Sequence, residues 1–290
     1  MGNILQIENV TFSYGKRVIL KDLSFKCENG IIGLLGNNGV GKTTLMNILT
    51  GLKKGSKGKA LLNDVDLLNT KAYPIQHVGY LPQHFDIYYN ITGYDFLSYV
   101  YDVKNFAKAD KKKIIDETIE RFHLQSVIHQ RVGRYSGGYK RRLGIAQAVL
   151  GKPALIIIDE PTVGLDPEQR VEFRSFLSEI SKESITLIST HIIEDIELYS
   201  DHILILKDKS LQFEGSIDEI IQASSPYIYT IETNLATLAT LKKQVIVLEE
   251  RRLNKDLVKV RFIKNHHEII GSYHEKEISL ENAYVYFQKR

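Results

Sequence analysis

Ile31-Ile32-Gly33-Leu34-Leu35-Gly36-Asn37-Asn38-Gly39-Val40-Gly41-Lys42-Thr43-Thr44 is the stretch that decides the fold. Its apolar start has the length of a buried strand, and residues 45–49 continue past its end as a helix. Between them, Gly36, Asn37, Asn38, Gly39, Val40, Gly41, Lys42 and Thr43 fit the spacing G-x-x-x-x-G-K-[ST]. Glycines there let backbone N–H groups curl around phosphates with no Cβ in the way, and the helix N-terminus adds partial positive charge. Lys42 is expected to reach the β- and γ-phosphates and Thr43 to hold Mg²⁺, with Thr44 beside them also expected to bind the nucleotide. A plain glycine-rich turn needs neither the Lys-Thr pair nor the flanking strand and helix, so the stretch reads as a nucleotide site.

Working outward, residues 5–12 and 23–27 alternate apolar and polar, so the chain opens with half-buried strands. Residues 154–158 read as a buried parallel strand that ends in Asp159-Glu160-Pro161-Thr162. Two adjacent acids at a strand end are poor core design, because buried charge is costly. Beside a phosphate loop they make sense: Asp159 to hold Mg²⁺ through its water shell, Glu160 to orient and activate an attacking water. Upstream, Tyr135-Ser136-Gly137-Gly138-Tyr139 enters an apolar helix at 143–150, and Ser136, Gly137 and Gly138 offer a hydroxyl and bare N–H groups suited to an anion.

Taken together, these motifs closely resemble the ATP-binding cassette (ABC) ATPases, over residues 4 to about 217. The resemblance implies further roles. Tyr14 would stack on adenine, and Gln83 would touch Mg²⁺ and the attacking water. Asp166 would cross to a partner subunit, and His191 would contact the γ-phosphate. The family's fold follows as an expectation: α/β, a mainly parallel sheet flanked by helices, an antiparallel strand layer and an inserted helical subdomain at about 84–150. The cofactors implied are ATP and Mg²⁺. Two ATP molecules would lie between two subunits, each held by residues 36–43 of one and residues 136–138 of the other. Two positions depart from the family pattern. Tyr139 stands where Gln is usual, so altered ribose or cross-subunit packing is expected, and Asn37 stands where Pro is common, its side chain expected to point away from phosphate.

The remainder bounds the function. The chain has 290 residues, 43% hydrophobic and 25% charged, which suits about two globular domains and excludes a disordered or fibrous chain. Its 38 Lys and Arg against 35 Asp and Glu give no reason to expect nucleic acid. The single cysteine, Cys27, reads as a small buried strand residue. No secretory signal or membrane span is apparent, so the chain by itself is expected to be cytosolic; the resemblance to ABC ATPases implies separately encoded permease subunits that would hold it at the inner face of the membrane. Seven tyrosines lie between Tyr73 and Tyr101. They fit equally a half-wet groove for a membrane partner or the packing of the helical subdomain. Thr92 to Asp95 reads as a capping box, and residues 108–113 as a solvated helix entry.

Domain boundaries are expected at 1–220 for the ATPase and 225–290 for a small α+β accessory domain that adds dimer contacts or a regulatory surface. Its strands are expected at 227–231, 245–249 and 257–263, with helices at 235–243 and after the cap Ser279. His266-His267 reads as a turn pair rather than a metal site. The resemblance, closest in pattern to ATPases of ABC-2-type and antimicrobial-peptide exporters, implies export rather than import, with a peptide or antimicrobial toxin as first substrate. The alternative is an ATPase not tied to transport, such as one for iron–sulfur cluster assembly.

Overall fold

The computed structural model describes every residue except 1, 70, 163, 164, 201, 265–270 and 276. The chain divides into two compact units, 1–211 and 212–290.

The first unit opens with β1 (Ile4–Tyr14) and β2 (Arg17–Glu28), paired antiparallel, followed by β3 (Gly30–Leu35) and α1 (Lys42–Leu49). β4 (Lys57–Leu62) and β5 (Val65–Asp66) complete an antiparallel sheet of order β2-β1-β4-β5. β6 (Val78–Leu81) then leads into a helical stretch of α2 (Gly93–Val103), α3 (Lys111–Arg121) and α4 (Gly137–Val149). β7 (Leu155–Asp159), α5 (Pro167–Ile180), β8 (Ile185–Ser189), α6 (Ile193–Tyr199) and β9 (His202–Lys207) follow, and β10 (Ser210–Gly215) begins in this unit and runs past its end at 211. The central sheet has the order β10-β9-β3-β8-β7-β6, parallel from β9 to β6.

The apolar runs behind β3, β7 and β8 are continuous because both faces of this sheet are covered. Successive side chains of a strand point to opposite faces, so one run feeds two cores. Leu155 and Ile157 of β7 pack with β1, β2 and α1, and Cys27 lies buried in that cluster. Ile156 and Ile158 pack with α4, α5 and the helical stretch through Leu143, Phe173 and Leu177. The expected capping box is present at α2: Asp95 N–H donates to Thr92 Oγ1, and Thr92 N–H reaches the Asp95 carboxylate.

Some of the tyrosines from Tyr73 to Tyr101 are buried and others face solvent. Tyr101 is 1% exposed within the helical core, and burial pushes the half-buried Tyr73 hydroxyl upward in pKa. Tyr88, Tyr89 and Tyr99 lie 85%, 63% and 66% exposed.

The second unit contains α7 (Ile217–Ser224), β11 (Ile228–Asn234), α8 (Leu235–Leu241), β12 (Ile246–Arg252), β13 (Leu257–Ile263), β14 (Tyr273–His274) and α9 (Leu280–Lys289). Its antiparallel sheet has the order β12-β13-β11-β14 around a core that includes Ile231, Leu238, Val260 and Phe262. The division of the chain falls ahead of the expected 220–225 boundary because α7 packs against α9. The reading of His266-His267 lies outside the described residues.

Candidate active site

The phosphate loop occupies the space between the end of β3 and the start of α1. A Cβ on Gly36, at φ +156°, would stand 2.7 Å from the Leu206 carbonyl oxygen, and one on Gly41, at φ +118°, 2.6 Å from Leu20 Cδ2. These two positions require glycine both for backbone angle and for space. Gly41 caps α1, whose first turn carries no acidic residue. The loop's outer residues Asn37, Asn38 and Gly39 are exposed, and Val40 is half-buried. Lys42 Nζ donates to the Gly36 carbonyl at 2.6 Å and lies 3.4 Å from that of Asn37, so its ammonium stands at the loop's mouth. Burial pushes its pKa below the ordinary value, against the opposing pull of Glu160 and Asp159.

Strand pairing brings the acids to this loop. Asp159 ends β7 and pairs with Ser189 at the end of β8. Its carboxylate accepts from Thr43 Oγ1 at 3.0 Å and from the Ser189 hydroxyl. Glu160 turns away from the strand at φ +48°. Its N–H donates to the Ser189 carbonyl at 3.0 Å and contacts Ser189 Oγ at 3.2 Å. Its own carboxylate, 9% exposed, meets His191 Nδ1 at 2.7 Å. Lys42, Thr43, Asp159, Glu160 and His191 thus converge on one locus with mixed charge.

The other expected residues stand outside that hydrogen-bonded set. Tyr14 is 47% exposed at the end of β1, braced edge-on by Phe12 at 5.0 Å, with Lys53 Nζ 5.3 Å from its ring centre. Gln83 lies exposed in the loop after β6. Ser136 caps α4, with the Tyr139 N–H directed at its hydroxyl, and Ser136 and Gly137 are exposed while Gly138 is half-buried. Asp166 caps α5 by accepting from the Gln169 N–H at 2.8 Å, and Gln169 borders Gly138. Tyr139 is held within its own chain. Its hydroxyl lies 3.4 Å from Ser126 Oγ and the Arg142 guanidinium 5.2 Å from its ring.

The phosphate loop and the acid pair lie within the span of a known family. The ABC transporter family profile covers residues 20–163. The chain is 35% identical to the ABC transporter ATP-binding protein YxlF of Bacillus subtilis, over 86% of its own length and 80% of the relative's. It belongs to the ABC transporter ATP-binding proteins. This ABC ATPase is also 33% identical to the linearmycin resistance ATP-binding protein LnrL of the same organism, covering 70% of this chain and 66% of that one. A solved ATP-binding subunit of an ABC transporter superposes with a TM-score of 0.68 at 26% identity, covering 76% of this chain and 92% of the other. The expected fold class is the one found, and the chain binds ATP as an ABC cassette.

Several residues around this locus carried no visible signal in the sequence. Ser189 joins the two acids, yet nothing in a serine at a strand end announces it. The Thr162 hydroxyl donates to buried Asp195, tying the turn after Glu160 to α6, which follows His191. Arg141 donates to the Pro161 carbonyl, and burial lowers its pKa to about 10. Gln147 Nε2 donates to the Tyr80 carbonyl at 2.7 Å, and a Cβ on Gly79 would lie 1.8 Å from the Ala148 carbonyl oxygen. Backbone contact between β6 and α4 is the reason Gly79 has no side chain.

Proposed function

We propose that this chain is the ATP-hydrolysing subunit of an exporter, acting in pairs at the inner face of the cell membrane on separately encoded permease subunits. The observation that carries the reading is the 2.7 Å contact of His191 with Glu160 beside the Thr43–Asp159 pair at the phosphate loop.

Thr43 and Asp159 supply hard oxygen donors 3.0 Å apart, a set that fits Mg²⁺. Mg²⁺ held there would offset phosphate charge. Lys42 and the N–H groups of residues 36–43 bind and orient the β- and γ-phosphates, and Tyr14 stacks on the adenine. Gln83, exposed after β6, would touch the cation and the attacking water once both are bound. Glu160 accepts a proton from that water while its oxygen bonds to the γ-phosphorus. The bond to the β–γ bridging oxygen breaks, and ADP leaves with the electron pair. His191 holds the Glu160 carboxylate in line and meets the γ-phosphate.

Ser136, Gly137, Gly138 and Asp166 lie apart from the phosphate loop's own hydrogen-bond set and serve the nucleotide of the second ATPase subunit. Exposed Tyr88, Tyr89 and Tyr99 suit the half-wet surface that receives the permease. Similarity to a linearmycin resistance protein supports an antimicrobial compound or peptide as the exported substrate. In Glu160→Gln, ATP binding is expected to persist while turnover falls by ~10²–10⁴. ATP then traps a closed dimer visible by light scattering. Near-normal hydrolysis removes Glu160 from this role.

A further inference from the structure

The second unit contains a cavity of about 410 Å³, within the size range of sites for small organic ligands. Its walls come from the start of β11, the end of β13 and the last turn of α9. The rings of Tyr227 and Tyr286 stack with centres 5.0 Å apart and planes 17° from parallel. The Arg290 guanidinium stands 4.9 Å from the Tyr227 ring and donates to the Tyr286 hydroxyl. Lys264 Nζ lies 4.8 Å from the Tyr229 ring, and Lys289 adds a third cationic side chain. None of the side chains lining the cavity is acidic, and Ile246 and Ile263 give it an apolar floor.

This composition is a poor way to stabilise a fold. Three cationic side chains gathered with no acidic side chain among the lining residues repel one another, and the energy is recovered when an anion enters. Tyr227 remains 39% exposed although its ring is already stacked, so aromatic surface stays open to solvent at the cavity. Flat aromatic walls and a cationic rim together select a ligand that is both planar and negative.

We propose that the C-terminal unit binds a small organic anion with a flat apolar body, an aryl carboxylate, sulfonate or phosphate, between the Tyr227–Tyr286 stack and Lys264, Lys289 and Arg290. The site uses only residues of the second unit and stands whether or not the ATPase mechanism above is right.

The probe is 8-anilinonaphthalene-1-sulfonate, titrated by fluorescence into the full-length chain with saturating ADP so that the phosphate loop is occupied. N-phenyl-1-naphthylamine, the same aromatic body without the sulfonate, is the neutral control. One equivalent of the sulfonate is expected to bind, more tightly than the neutral amine. The double variant Lys264→Glu/Lys289→Glu should weaken the sulfonate by about tenfold or more and leave the amine unchanged. The double variant Lys264→Arg/Lys289→Arg should keep wild-type binding, and Tyr227→Ala should weaken both compounds. Equal affinity for the two compounds, or wild-type sulfonate binding by the charge-reversed chain, overturns the site. Failure of the Arg variant to bind while its thermal unfolding matches wild type also overturns it.

Discussion

Glu160 holds φ +48°, a left-handed angle that costs a branched or long side chain of order 1 kcal/mol, and two contacts to Ser189 keep it there. The same serine donates to Asp159, so one hydroxyl positions both acids. Ser189→Ala is expected to lower kcat about tenfold, the equivalent of ~1.4 kcal/mol, with little change in ATP affinity. Steady-state kinetics beside equilibrium ATP binding separates the two, and an unchanged kcat denies Ser189 a positioning role. The phosphate loop and Asp159-Glu160 were legible because each is a contiguous run whose spacing is the chemistry. Ser189 was not, because it stands 29 residues from Glu160 and meets it only through the pairing of β7 with β8.

At the scale of elements, the C-terminal sheet is pinned by a buried carboxylate. Glu275, 7% exposed, accepts from Thr230 on β11 at 2.6 Å and from Arg261 on β13 at 3.1 Å. Arg261 also donates to Asn282 of α9 at 2.7 Å, so the cluster joins two strands to the terminal helix. Burial works to raise the Glu275 pKa from 4.5. Hydrogen bonds from Thr230, the Glu277 N–H and Arg261, with the Arg261 charge, outweigh it and hold the group at about 2. A folded value below the unfolded one stabilises the unit above about pH 4.5, and that contribution is lost as pH falls toward 2. Hydrogen exchange of β11 and β13, corrected for intrinsic rate, should therefore show opening made easier between pH 5 and 3, windows chosen around those values. In Glu275→Gln the two strands should open more readily at neutral pH and show a flatter acid profile, and a wild-type slope in that variant sinks the assignment. Alternation of β-branched and aromatic residues announced β11, β12 and β13 within a few positions. The two-residue β14 is too short to carry a period, and the cluster that Glu275 organises depends on residues from three separate elements.

For the whole molecule, the unit boundary sets where the chain tolerates cutting. Residues 36–43, Asp159, Glu160 and His191 all belong to the first unit. A chain ending at Gly215 keeps β10 and should bind ATP with Mg²⁺ like the full protein. A chain ending at Ser224 keeps α7 without α9, against which it packs, and uncovers Ile220, which is fully buried in the intact chain. It is expected to bind ATP but to be the less soluble of the two. Equilibrium ATP binding and sedimentation of both chains check this, and loss of ATP binding by soluble, folded 1–215 protein would place the tail in the nucleotide site. The sequence placed the break nine or more residues later because Ser224-Ser225-Pro226 has the composition of a linker, whereas the pairing of α7 with α9 is a long-range contact that composition does not encode.

The absence of a side chain at Gly79 has a mechanical consequence. With β6 resting on the Ala148 carbonyl and Gln147 fastened to Tyr80, strand and helix have a fixed fulcrum near the C-terminal end of α4. From there to Ser136 is a rigid arm of about 18 Å at 1.5 Å per residue. A tilt of only about 5° about that fulcrum swings the Ser136 end by ~1.6 Å, more than half the length of a hydrogen bond. Gln83 lies two residues past the end of β6, and a tilt of α4 too small to break any contact at the fulcrum is enough to make or break one at Ser136.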